Sequence, residues 1–254
     1  DIKAIFHLGA RTDTTFNNFD IINYQNTEFS KKLLEVTEIS DCKFIYASSA
    51  SVYGKGFNSL EIPANENPIN LYSKSKLIFD NFVREKTKNF QSKKNKIYGL
   101  RYFNVYGPGE QNKGKMASVI FHFYNQLIND DIVRLFKGSD GFDDGEQKRD
   151  FIYVDDVTNI TLNMYEQNYA SGIYNLGTGV NVSFNHVAKI MINILNSKAN
   201  IEYINFPSNL LNGYQSYTKA DLTNFKKNGL NFEFTNIEEG ISKYILELNK
   251  SKQT

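Results

Sequence analysis

Cysteine is almost absent from this sequence. Cys42 is the one thiol in 254 residues, so no disulfide can form within the chain. One cysteine and three histidines also make a poor donor set for a structural zinc site. Cys42 reads instead as a small residue entering a strand. Charge of one sign is missing too. Lysine and arginine number 29 against 28 aspartates and glutamates, which argues against nucleic acid or an anionic membrane as a partner. No apolar run approaches the length needed to cross a bilayer, and no signal-peptide pattern stands in the first residues. A reducing compartment suits a chain without cysteine pairs, so a cytoplasmic protein is expected. Apolar residues are not scarce: 41% are hydrophobic and 22% charged, as in ordinary globular chains. The length suffices for one large or two modest domains with a buried core.

The first half alternates strands with helices. Asp1-Ile2-Lys3-Ala4-Ile5-Phe6-His7-Leu8-Gly9-Ala10 is an apolar run ending in a tight turn, as buried parallel strands do. A helix is expected from about Thr27 to Ile39, with Phe29, Leu33, Leu34 and Val36 on its apolar side. Lys43 to Ser49 reads as a strand running into a polar loop. A second helix follows from about Leu71 to Lys86, carrying Leu77, Ile78, Phe82 and Val83, and then a strand at Lys96–Arg101. This alternation predicts a parallel sheet with crossover helices. Such a sheet normally opens on a strand and a Gly-x-Gly-x-x-Gly-like turn. Gly9 follows a strand, but no glycine stands two or three positions later. The expectation is a sheet without its first two or three strands.

The second half is more mixed. A helix is expected at about Ala117 to Ile128, then a solvated loop over Lys137–Lys148. Arg149 to Val157 leads into another helix. Ser171 to Gly179 reads as a strand with a glycine-rich end, and Ser183 as the N-cap of a helix reaching about Leu195.

Chemistry enters at Tyr72-Ser73-Lys74-Ser75-Lys76. A spacing of four puts Tyr72 and Lys76 on one helical face. A nearby ammonium favours the phenolate, and such a tyrosine can take a proton from an alcohol. With 16 tyrosines in the chain, the pair alone is weak, and a surface tyrosine and lysine is the plain alternative. Context adds weight. Ser48-Ser49-Ala50-Ser51-Val52-Tyr53-Gly54 and Arg101-Tyr102-Phe103-Asn104-Val105-Tyr106-Gly107-Pro108 each follow a strand. Ligands of open parallel sheets bind at the carboxyl ends of strands, so these loops and the Tyr72 helix point to one cleft.

Five motifs occur in order: Ser-Ser-x-x-Val-Tyr-Gly, Tyr-x-x-x-Lys, Arg-Tyr-Phe-Asn-Val-Tyr-Gly-Pro, Arg-Asp-Phe-Ile-Tyr-Val-Asp-Asp-Val and Tyr-Asn-Leu-Gly-Thr-Gly. In this order they resemble the extended short-chain dehydrogenases/reductases over essentially the whole chain. Further stretches are similar to the ADP-L-glycero-D-manno-heptose 6-epimerases of that group. They are Gly114-Lys115-Met116-Ala117-Ser118-Val119 with Phe121-His122, Leu135-Phe136-Lys137-Gly138-Ser139, Lys148-Arg149-Asp150-Phe151, and Tyr214-Gln215 with Thr218–Asn224.

The resemblance implies an α/β fold. It would be a Rossmann-like doubly wound parallel sheet, its N-terminal strands missing, beside a smaller mixed α/β substrate domain. The expected nucleotide-binding domain comprises 1–103, 150–179 and 216–228. The expected substrate domain comprises 104–149, 180–215 and 229–254. The implied reaction is C6 epimerisation of an ADP-heptose for lipopolysaccharide core synthesis, with NADP as cofactor and NAD as the alternative. A homo-oligomer, pentameric in the family, is implied as well.

Ser49 would bond the reacting oxygen, Tyr72 would be the first acid/base, and Lys76 its tuner and a ribose contact. Lys113 would be the second acid/base. Asn104, Lys115, His122, Phe136, Arg149 and Tyr214 would hold the sugar nucleotide with Ser49 and Lys113. Gly9, Ala10 and Asn23 would line the cofactor. Each has a bland alternative: His122 packed between Phe121 and Phe123, Lys113 solvated, Arg149 paired with Asp155 or Asp156, Phe136 in the core. Gly213 stands where the family often has arginine, and the loop before Lys148 is longer by Asp143 to Glu146.

Three rivals remain. A dehydratase needs an Asp-Glu pair after the serine, where Ala50 and Ser51 stand. A UDP-hexose 4-epimerase is disfavoured by the segment around Lys113. A non-catalytic nucleotide-sugar binder is supported by the missing glycine-rich turn and opposed by Ser49, Tyr72 and Lys76.

Overall fold

The computed structural model describes residues 2–40, 42–88, 95–207 and 213–250, without the side chain of Glu38. In chain order the elements begin with β1 (Ala4–His7), α1 (Phe19–Asn23), α2 (Phe29–Ser40), β2 (Lys43–Ser49), α3 (Leu71–Lys88) and β3 (Ile97–Tyr102). Then come β4 (Asn104–Tyr106), α4 (Val119–Asp130), β5 (Ile132–Phe136), β6 (Lys148–Arg149), β7 (Phe151–Tyr153) and α5 (Val154–Glu166). The rest are β8 (Gly172–Leu176), β9 (Val182–Ser183), α6 (Phe184–Ile194), β10 (Asn200–Ile204), α7 (Thr223–Lys227) and α8 (Ile237–Lys250). Among the described residues no helix is long and apolar enough to cross a membrane.

The chain divides into two compact units. The first is Asp1–Phe103, Thr158–Leu176 and Ala220–Phe232; the second is Asn104–Val157, Gly177–Lys219 and Glu233–Thr254. The expected boundaries had put 150–157, 177–179 and 216–219 with the first unit and 229–232 with the second. Local pairing ties 150–157 and 177–179 into the second unit. β7 pairs in parallel with β4, and the Asp150 carboxylate accepts from the backbone N–H of Thr178 (2.8 Å) and of Gly179 (2.9 Å).

The first unit is built on a four-stranded sheet in the order β1-β2-β3-β8. Every pairing is parallel. Residues Phe44–Ser48 of β2 and Ile97–Arg101 of β3 are buried without a break, the pattern of strands covered on both faces. Phe44, Tyr46, Phe79, Val83, Ile97 and Leu34 form the core between strands and helices.

The helices differ from the pattern reading. The polypeptide is already helical at Phe19, capped by Asn18, whose side chain accepts from the Ile21 N–H. Between α1 and α2, Tyr24–Glu28 form a wider π-helical turn. α2 buries Ser30, Leu34 and Thr37, while Phe29 and Val36 are exposed. α3 buries Lys76, Phe79, Asp80 and Val83 and exposes Ile78. Buried polar groups therefore displace part of the expected apolar stripe. They are tolerated because each finds a partner.

A charge network lies beneath α3. Arg101 of β3, fully buried, donates to Asp80 (Nη2, 2.8 Å; Nε, 2.9 Å) and to Glu66 (2.6 Å). Asp80 also accepts from Tyr46 Oη (2.9 Å) and Ser48 Oγ (2.9 Å). Glu66 in turn accepts from Arg84 (2.7 Å). Removing one partner of such a buried set costs about 3–5 kcal/mol.

The second unit has a core of Tyr106, Ile120, Phe123, Leu135, Met191 and Tyr244 with their neighbours. Its strands form three two-stranded pieces: β10-β5, β4-β7 and β6-β9. α4 is capped by Ser118 and α6 by Ser183, each serine oxygen accepting an N–H three residues on. The stretch read as a solvated loop is partly interior. Gln147 is buried and its amide donates to the Lys137 carbonyl (2.8 Å).

Candidate active site

The parallel sheet brings the carboxyl ends of its strands to one side. β2 ends at Ser49, opposite Tyr102 of β3 in register. Past Ser49 the chain tightens into a helical turn, Ala50–Tyr53, and reverses at Gly54. Gly54 has φ +62°, and any Cβ there would collide with the Asn67 carbonyl, so only glycine fits. Tyr53 points inward and donates to Asn175 (2.7 Å).

Ser49, Tyr72 and Lys76 are brought together within the first unit. The Ser49 hydroxyl lies 2.9 Å from that of Ser51 and accepts from its N–H. It also hydrogen-bonds the Tyr72 phenol. Burial raises the phenol's pKa, the Ser49 bond pulls it down, and the Asp80 charge pushes it up. The Lys76 ammonium is buried and donates to the Ala47 carbonyl (2.8 Å). Burial lowers its pKa to about 8, against the pull of Asp80. Its Nζ stands 5.9 Å from the Tyr72 ring centre. Ser49 thus stands beside Lys76 as a group that favours the phenolate.

Gly9 and Ala10 follow β1, Gly9 exposed and Ala10 partly buried. Asn23 is half-buried at the end of α1. The buried asparagine of this region is Asn26, which the pattern reading passed over. Its Oδ1 accepts from the Arg11 N–H (2.8 Å), and its amide donates to the Arg11 carbonyl and to Ser75 Oγ (both 3.0 Å). Ser75 donates to the Tyr72 carbonyl (2.7 Å). One side chain thus ties the loop after β1 to the helix that carries Tyr72. The π-helical turn, a feature frequent at functional sites, places it there. His7 joins the cluster. Ser30 spends its single hydrogen on the Asn26 carbonyl (2.6 Å), so His7 Nε2 donates to Ser30 Oγ (2.7 Å). Burial and the Lys76 charge lower the His7 pKa to about 4.

In the second unit Arg149, Phe136 and Tyr214 come together. Arg149 is 6% exposed. Its guanidinium stands 4.8 Å over the Tyr214 ring, with the Phe184 ring at 5.5 Å. It donates to the Tyr214 phenol and to the Lys148 carbonyl (3.1 Å). Burial lowers its pKa. The suggested pairing with Asp156 is not made: that carboxylate accepts from Thr235 N and Oγ (both 2.9 Å). Phe136 is half-buried rather than core. It stacks on Phe206 at 4.4 Å, and Tyr214 meets both rings edge-on. Phe206 was not foreseen; an aromatic between β10 and Tyr214 was the available signal.

The other expected substrate contacts of this unit are Asn104, Lys113, Lys115 and His122. Asn104 accepts from Thr218 (3.1 Å) on β4. Lys113 and Lys115 are exposed in the Gln111–Met116 turn. His122 is half-buried on α4, 6.3 Å from the Phe121 ring.

Comparison with known proteins identifies the family. Residues 1–177 match the NAD dependent epimerase/dehydratase family. The chain belongs to that family. It is 44% identical over 244 residues to an ADP-L-glycero-D-manno-heptose-6-epimerase of Alkalilimnicola ehrlichii, covering 96% of this chain and 75% of that protein. The crystal structure of the Helicobacter pylori ADP-L-glycero-D-manno-heptose-6-epimerase superposes with a TM-score of 0.84 at 32% identity, covering 97% of this chain and 73% of that one. The UDP-glucose 4-epimerase of Thermotoga maritima, solved with UDP-glucose, gives 0.81 at 25% identity, covering 98% and 78%. The donor set present here suits the nicotinamide end of such a family's cofactor. The Lys76 ammonium has three N–H groups, of which the Ala47 carbonyl takes one, and Tyr72 lies on the same helical face. Among the described residues no cluster of acidic, histidine or cysteine side chains is fit to hold a metal.

Proposed function

We propose that the chain inverts C6 of an ADP-heptose, converting ADP-D-glycero-D-manno-heptose to its L-glycero epimer for lipopolysaccharide core synthesis. The observation that carries the reading is the hydrogen-bonded Ser49–Tyr72 pair at the end of β2, with Lys76 buried one turn further along α3. The choice of sugar is supported by the two relatives named for that reaction.

An unactivated alcohol carbon has no acidic proton to remove, so inversion needs a transient ketone. A bound nicotinamide supplies hydride acceptance and return. Ser49 holds the reacting oxygen by its hydroxyl. Tyr72 takes the hydroxyl proton, and Ser49 eases formation of the phenolate. Lys76 anchors the cofactor ribose and adds positive charge beside Tyr72. The new alcohol needs a proton from a second acid/base, and Lys113 takes that role.

Arg149 takes the diphosphate. A buried guanidinium held only by rings, a phenol and a carbonyl is a ready anion site. Phe136 and Tyr214 pack against the nucleotide, while Asn104, Lys115 and His122 complete the sugar contacts. Gly9, Ala10 and Asn23 line the cofactor, which we read as NADP rather than NAD. A homo-oligomer in the cytoplasm completes the reading.

The test is direct. The cofactor-loaded protein is mixed with ADP-D-glycero-D-manno-heptose and the C6 configuration followed by proton NMR. Accumulation of the L-glycero epimer is expected. Substrate recovered unchanged from the loaded wild-type protein would end the reading.

A further inference from the structure

We propose that Glu110 is a positioning residue for Lys113: its buried carboxylate closes the loop that presents this lysine. The inference rests on Lys113 acting as the second acid/base, as read above.

The loop runs from Glu110 to Ser118, and one side chain joins its ends. Glu110 Oε2 accepts from the Ser118 N–H (2.6 Å) and Oε1 from the Ser118 hydroxyl (2.7 Å). Glu110 is 3% exposed, so its charge is held away from water and must be met by fixed donors. Ser118 is also the N-cap of the twelve-residue α4, its oxygen accepting from the Phe121 N–H. The carboxylate therefore sits where the helix dipole favours negative charge. Tyr244 of α8 lies against it, and burial together with the Glu110 charge pushes that phenol's pKa well up.

Inside the loop the backbone is held twice more. The Lys113 N–H donates to the Glu110 carbonyl (3.0 Å), and the Ala117 N–H to the Gly114 carbonyl (3.1 Å). Gly114, at φ 53° and ψ −130°, turns the chain directly after Lys113. The Lys113 side chain is exposed and long, so what the fold can set is the place of its backbone. The Glu110 clamp does that from a buried carboxylate bonded to Ser118.

The experiment uses the whole cofactor-loaded protein. Turnover is measured for Glu110→Gln, Lys113→Ala and the double variant, and trypsin cleavage after Lys113 and Lys115 is timed for Glu110→Gln. Glu110→Gln is expected to lower kcat by about 10²-fold with KM within about threefold, as a misplaced acid/base would. The double variant is expected to be no slower than Lys113→Ala, because residues acting as one unit are non-additive. Cleavage in the loop is expected to quicken about tenfold, while the rest of the chain stays resistant.

Wild-type kcat in Glu110→Gln overturns the proposal, as does a full second loss of rate in the Lys113→Ala background. Wild-type turnover in Lys113→Ala removes the acid/base reading and this inference with it. Should Glu110→Gln not fold, Ser118→Ala removes one of the two bonds. The same non-additivity with Lys113→Ala is then required at a smaller loss of rate, and an additive loss overturns the proposal.

Discussion

Two buried arginines set the units apart. Arg101 of the first unit is fully buried and answered by two carboxylates, Asp80 and Glu66. Arg149 of the second is almost as deeply buried, yet among the described residues no ion pair reaches it. Its partners are the Tyr214 ring and phenol, the Phe184 ring and a carbonyl. Burying a cation costs free energy unless an anion answers it. The first unit supplies that anion from its own chain; in the second, among the described residues, rings, a phenol and a carbonyl stand in its place. The neutralised arginine is part of the frame, and the unneutralised one is the group proposed above to meet an anion. The contrast extends to how the groups are held. Ser49 and Tyr72 stand on a continuous parallel sheet and an 18-residue helix. Lys113 stands in a short helical turn between β4 and α4, and Tyr214 between β10 and α7.

The largest effect should come from the sheet side. Tyr72→Phe removes the proton acceptor and is expected to lower turnover about 10²–10⁴-fold without moving the unfolding midpoint, read by NMR conversion and by urea titration. Near-normal turnover would strip Tyr72 of its role. Arg101→Leu leaves the buried Asp80 carboxylate without its cation while Glu66 keeps Arg84, and a stability loss of about 3–5 kcal/mol is expected in urea unfolding. A loss below about 1 kcal/mol would make the frame argument wrong.

Acid stability sharpens the same side. His7 titrates at about 4 when folded, against 6.5 ordinarily, so between those values the unfolded chain binds the extra proton. Its contribution is complete above pH 6.5 and is lost as pH falls toward 4, up to roughly 3 kcal/mol. His7→Gln keeps an N–H for Ser30 and should flatten the urea-stability profile between pH 6.5 and 4. An unchanged slope would point to another group. The opposite arginine behaves differently. Arg149→Leu should raise KM about thirtyfold, from a charged bond worth about 2 kcal/mol, while stability stays level or rises. A stability loss like that of Arg101→Leu would erase the comparison. Smallest is Ser183→Ala, which removes the α6 cap: about 1 kcal/mol of stability and no change in turnover. A loss of turnover there would tie α6 to the site.

Much of the frame was legible from period and punctuation. The strands at Ala4–His7, Lys43–Ser49 and Ile97–Tyr102 are apolar runs bounded by polar loops, and Ser183 announced its helix as N-caps do. The motifs were legible as motifs, but their division of labour was not. Tyr53 and Asp150 belong to the same signatures as Ser49 and Arg149, and Asn175 to the Tyr-Asn-Leu-Gly-Thr-Gly stretch, yet they bond to the frame: Tyr53 to Asn175, and Asp150 to Thr178 and Gly179. Glu110 and Asn26 carried no signal beyond their polarity. Each acts through a bond to a residue eight or fifteen positions away, and no period in the sequence encodes that separation.

By itself the sequence determined the alternation of strand and helix, the parallel sheet, and the short spacing that puts Tyr72 and Lys76 on one face. These follow from local geometry, which repeats every two residues in a strand and every 3.6 in a helix. Only the tertiary structure decided which face of α2 and α3 is buried, that Ser49 meets the Tyr72 phenol, and which buried arginine is neutralised. Those outcomes depend on groups distant in sequence meeting where water is excluded. There an arginine beside two carboxylates is a strut, and one without them is the group proposed to meet an anion.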